Sequence, residues 1–88
     1  MSAYRRRPGI SENRMGNDLF LVDPASGEIH HLDATAIALW TLLAEPRDEA
    51  EIVATFAAAF PDQPVETLQS DLRLALHAMR DGGLIEIA

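Results

Sequence analysis

Eighty-eight residues, 48% of them hydrophobic, suffice for one small domain and are too apolar for a disordered chain. The absence of cysteine excludes a disulfide framework and a thiolate metal site. A net charge of −7 with no lysine opposes binding to a phosphate backbone. No apolar run is long enough to span a bilayer, and no apolar segment follows the charged N-terminus. The chain therefore reads as soluble and cytoplasmic, with no membrane partner.

The charge is unevenly placed. Arg5, Arg6, Arg7 and Arg14 face only Glu12 in the first fourteen residues, whereas the remainder is strongly acidic. Residues 1–9, polar and basic and ending in Pro8-Gly9, read as a flexible arm, either solvated or touching an acidic partner. Residues 10–88 read as a single domain.

Strand signals run from Ile10 to Leu32. "ISENRM" carries a weak one. "LFLVD" (19–23) carries a better one, followed by the turn-forming "DPASG". "EIHHL" (28–32) then completes a hairpin with a loop of about four residues. In "LFLV" both strand faces are apolar, and Ile29 and Leu32 fall on opposite faces. A sheet with helices on one side buries only one face. The second apolar set therefore calls for cover by the arm, by a second protomer in a homodimer, or by a partner.

Helix signals follow. Asp33 is an N-cap for "ATAIALWTLL", which stops before Pro46. Asp48-x-x-Glu51 forms a capping box ahead of a helix bearing Ile52, Val53, Phe56 and Phe60 on one face. "PDQP" breaks that helix. The third helix spans about Val65 to Asp81 and ends at Gly82-Gly83, a C-cap signal. Its apolar stripe is Val65, Leu68, Leu72, Ala75, Leu76 and Met79, at 100° per residue. Gln69, Arg73 and Arg80 form one flank with His77 beside them, and Leu74 lies opposite the stripe. "LIEI" closes as an extended segment. The order predicts an α+β, winged helix-turn-helix-like fold: a three-stranded antiparallel sheet followed by three helices.

Nothing along the chain is assembled for catalysis. There is no phosphate-binding glycine loop and no G-x-S-x-G. The serines fall in tail, turn or exposed helix positions, and the acids are scattered. His30 and His31 point to opposite strand faces and cannot easily share one ion, and His77 could approach only one of them. No catalytic residue, metal site or cofactor is expected.

Taken together, Leu32, Asp33, Thr35, Ala36 and Trp40 at the entry to the first helix, Glu51-Ile52, Asp71-Leu72 and the closing Gly83–Ile85 resemble the PqqD-like family. These are small precursor-peptide recognition elements named for the D protein of pyrroloquinoline quinone (PQQ) biosynthesis. The match covers residues 15–87. The resemblance implies a non-catalytic peptide chaperone that holds the leader of a ribosomally made precursor peptide for a modifying enzyme. In the quinone pathway that enzyme is a radical S-adenosylmethionine (radical SAM) protein. It further implies leader addition to the edge Glu28, Ile29, His30, His31 and Leu32, with a groove wall of Gln69, Arg73, Leu76, His77 and Arg80. Two other readings stay open here: a structural or dimerisation module of a modification complex, and a winged-helix DNA-binding domain. Against the latter, Glu66, Asp71 and Asp81 stand on the third helix where a base reader carries donors or basic groups.

Overall fold

The computed structural model describes residues 3–88. In chain order the elements are β1 (Ala3–Arg6), β2 (Ser11–Met15), β3 (Asp18–Asp23), β4 (Glu28–Leu32), α1 (Ala34–Leu42), β5 (Arg47–Asp48), α2 (Glu49–Ala59), α3 (Val65–Asp81) and β6 (Ile85–Ile87). The expected antiparallel sheet is present in the order β2-β3-β4, followed by three helices in the winged-helix arrangement. A second three-stranded sheet, in the order β5-β1-β6, was not anticipated.

Local chemistry explains most boundaries. β2 and β3 are joined by Gly16-Asn17, where Gly16 takes φ +64° and the two strands close directly at Met15 and Asp18. The β3–β4 turn is tightened by the Asp23 carboxylate, which accepts from the Ala25 N–H at 3.0 Å, and Gly27 supplies φ +77°. Asp33 caps α1 by accepting from the Ala36 N–H at 2.8 Å. The Asp48/Glu51 capping box is complete, with Asp48 accepting from the Glu51 N–H at 2.8 Å. At the end of α3 the Leu84 N–H reaches the Met79 carbonyl at 2.9 Å and the Gly83 N–H reaches that of Arg80 at 3.0 Å. With Gly83 at φ +75°, and with Met79 and Leu84 both buried, this is a complete Schellman cap.

The basic segment is not a flexible arm from Ala3 onward; Met1 and Ser2 lie outside the described residues. β1 pairs with β6 (Tyr4 with Ile87, Arg6 with Ile85) and with β5 (Ala3 with Asp48). The physical reason is that β6 needs a backbone partner, and the N-terminal residues supply one. Each arginine then finds an anchor. Arg5 donates to the Glu86 carboxylate at 2.6 and 2.8 Å. Arg6 donates to the Trp40 carbonyl at 2.8 Å and stacks 4.5 Å from the indole centroid. The Trp40 indole N–H in turn donates to Glu12. Arg7 donates to the Gly83 carbonyl at 2.8 Å and lies 3.6 Å from the Asp23 carboxylate. These side chains fasten the N-terminal strand to α1, to the β3–β4 hairpin and to the end of α3.

The core joins Leu19, Leu21 and Leu32 of the first sheet to Leu39, Trp40 and Leu43, to Ile52 and Phe56, to Leu72, Leu76 and Met79, and to Leu84 and Ile85. Leu76 lies at its centre with no exposed surface. Replacing Leu76 with Ala removes a fully buried side chain from a close-packed site and is expected to cost about 2–5 kcal/mol. Urea denaturation measures this as a lower midpoint at an unchanged slope.

Candidate functional site

β4 is an edge strand. Its neighbour is β3, with Leu32 opposite Leu19, His31 opposite Phe20, His30 opposite Leu21, Ile29 opposite Val22 and Glu28 opposite Asp23. Because side chains alternate, Leu32 and His30 point toward the core while Ile29 and His31 stand on the outer face. Leu32 is buried and Ile29 is 67% exposed. The outer face, with Phe20 and Val22 half-buried, stays open among the described residues, because β1 lies in the other sheet. Along β4 the backbone groups turned away from β3 have no strand partner among the described residues.

The two histidines have different surroundings. His30 is seated against the last turn of α3: a Cβ placed on Gly82 would come within 3.3 Å of its ring carbon Cε1 and of the Ala78 carbonyl oxygen. Its Nε2 is shielded, makes no hydrogen bond, and lies 3.3 Å from the Glu28 carboxylate. His31 places Nε2 3.0 Å from Asp18 Oδ1 and rests its ring 5.0 Å from that of Phe20. The rings diverge as the strand alternation predicts. Among the described residues no three metal-ligating side chains converge.

The contact of His30 with Gly82 identifies which flank of α3 faces β4. At 100° per residue, Asp71, Ala75, Ala78 and Gly82 share that flank. Gln69, Arg73 and His77 lie on the other. Arg73 grips Glu49 at the start of α2 with two hydrogen bonds, of 2.9 and 3.3 Å. That hydrogen bond holds the Glu49 carboxyl below the usual glutamate range, aided by the charges of Arg73 and His77 and opposed by partial burial. It raises the Arg73 guanidinium correspondingly, and Tyr4 of β1 adds to the shift. Arg80 follows Gln69 and Arg73 at the same helical spacing. The groove wall expected from Gln69, Arg73, His77 and Arg80 therefore faces α2 and β1, away from the β4 edge. Leu76, the fifth member, is core. Spacing separates the charged flank of α3 from the one rich in small residues, but it does not say which of them meets β4.

Beyond the end of β4, the first turn of α1 meets α2 and α3 around a cleft of about 290 Å³. Thr35, Phe56, Phe60, Leu68 and Leu72 give it apolar walls, and Asp71 supplies a carboxylate. This cleft was missed in the sequence, although Asp71-Leu72 and Thr35 were both noted.

The matching family model is that of "Coenzyme PQQ synthesis protein D (PqqD)", over residues 18–85. The chain belongs to the PqqD family. Among solved structures, TbiB1 in complex with the TbiA(beta) leader peptide superposes with a TM-score of 0.81 at 26% identity. The alignment covers 93% of the PqqD-family chain described here and 94% of TbiB1. A lasso peptide synthetase B1 complexed with the leader peptide gives 0.78 at 22% identity, over 94% and 96% of the two chains; at that identity the likeness is one of fold. No curated protein matches the chain.

Replacing Arg73 with Met is expected to release Glu49 toward the ordinary glutamate value, read by carboxyl-carbon NMR titration. A lowered carboxyl stabilises the fold above its unfolded value, and that contribution is lost as pH falls through the lowered one. The variant therefore has a smaller loss of stability in acid than the wild type across that window.

Proposed function

We propose that this chain is a non-catalytic recognition domain for the leader of a ribosomally made precursor peptide, which it presents to a modifying enzyme. The observation that carries this reading is the unpaired edge of β4 beside the Asp71–Gly82 flank of α3. An extended peptide laid along Glu28–Leu32 satisfies the free backbone groups, and its alternate side chains enter the groove or stand on the outer face. Support comes from the two similar structures, both B1 proteins holding leader peptides.

The edge suits this use. Exposed strand edges are normally blunted with lysine, proline or a bulge, and β4 has none of these, only the paired turn of Glu28 toward His30. Backbone pairing supplies affinity with little demand on sequence, and the flanking side chains supply selection. Arg73 takes no part, because Glu49 already holds it. The working place is the cytoplasm, where such a peptide is made.

The test begins with a displayed library of random decapeptides selected on the full-length protein. Bound peptides are then mapped by amide hydrogen exchange. The expected result is added protection at the amides of Ile29 and His31, which both point away from β3, with affinity lost in each of the single variants Ile29→Pro and His31→Pro and little changed in Arg73→Met. Selection of no peptide, or protection confined to surfaces away from β4, overturns the reading.

A further inference from the structure

We infer that the cleft between α1, α2 and α3 is a specificity pocket for a basic side chain, arginine best, with Asp71 as the residue that selects it. The inference rests on strand addition at β4 to deliver that side chain, and it names what the flanking peptide must carry.

Position comes first. Leu32 ends β4, Asp33 caps α1, and Thr35 already lines the cleft. The cleft therefore begins just beyond the end of the β4 edge, within reach of a side chain on a peptide that continues past Leu32. The chemistry of the walls then decides which side chain is favoured. Phe56, Leu68 and Leu72 are buried and form an apolar floor, while the Phe60 ring is 48% exposed at the rim. Asp71 has no hydrogen bond or ion pair among the described residues, and no arginine or histidine lines the cleft. The nearest arginine along α3, Arg73, is turned to Glu49 on the opposite flank.

Such a cleft discriminates in a defined way. A wholly apolar occupant covers the floor but strips water from the Asp71 carboxylate without replacing it. An acidic occupant meets like charge. A basic side chain lays its aliphatic stem on the floor, presents its cation to Asp71, and passes the Phe60 ring on the way. The planar guanidinium can meet the carboxylate with two parallel donors, which an ammonium cannot. The N-terminus of α1 would favour an anion nearby, but the Asp33 carboxylate already occupies the Ala36 N–H at 2.8 Å.

The pocket can be read without any peptide. The probes are Nα-acetyl-arginine methylamide, the matching norleucine, tyrosine and glutamate derivatives, and nitrogen-15-labelled full-length protein followed by two-dimensional NMR. The arginine probe is expected to shift the amides of Thr35, Phe60, Leu68 and Leu72 at millimolar concentration. It should bind roughly three- to fivefold more tightly than norleucine, as befits a partly exposed ion pair, and the preference should shrink with salt. Asp71→Asn, exposed and nearly isosteric, should abolish the preference while leaving the rest of the spectrum in place. Asp71→Lys should exclude the arginine probe altogether. Norleucine or tyrosine binding as well as arginine, a preference that survives Asp71→Asn, or no shift at the cleft overturns the pocket. Because the probes are too short to form a strand, that failure leaves the β4 result standing, and failure at β4 leaves the pocket result standing.

Discussion

The apolar stripe of α3 governs the arrangement of everything around it. Leu68, Leu72, Leu76 and Met79 are all buried, and full burial of such a side chain contributes about 1.5–3 kcal/mol. Together they outweigh any exposed ion pair on the same helix, which contributes about 0–1 kcal/mol. Packing therefore sets the rotation of α3 about its axis, and the Arg73–Glu49 pair follows from it. One flank comes to rest over the start of α2 and β1. The other presents Asp71, Ala75 and Ala78 beside β4, and Gly82 lets the backbone of the last turn come close to His30.

The N-terminal strand makes that geometry durable. β6 emerges from the Schellman turn of α3 and would be an unpaired three-residue strand without β1. Arg7 spans from the Gly83 carbonyl to Asp23, tying the end of α3 to the hairpin that carries β4. Arg6 ties the same strand to Trp40 and, at 3.8 Å, to Glu12 of β2. A run of three arginines that looks like a solvated tail is thus a brace on two sides of the groove. Because β1 is used up by β5 and β6, it leaves the β4 edge free.

An open edge beside a flank of small residues suits the proposed holding of an extended peptide. Pairing through the backbone gives a broad, sequence-tolerant grip. On the proposed reading, discrimination comes from side-chain pockets beside the strand, where the burial of a few groups decides between related peptides. The acidic surface on α3, with Glu66, Asp71 and Asp81, opposes the approach of a polyanion.

The residues themselves declared the β2-β3-β4 sheet and the three helices, because alternation, caps and breakers are local signals. Asp33, the Asp48/Glu51 box, the Asp23–Gly27 turn and Gly82-Gly83 each act within a few residues, and each appears in the structure where the sequence placed it. The divergence of His30 and His31 was legible for the same reason, since strand alternation is a property of the backbone. β1 and the second sheet were not legible: Ala3–Arg6 has no strong strand pattern, and its partner lies some eighty residues away. Nor was the flank of α3 that meets β4, because helical spacing gives the faces of a helix and not their neighbours. Local periodicity determined which elements form and which faces they bury. Long-range packing alone decided which neighbours those faces meet, and with that the site.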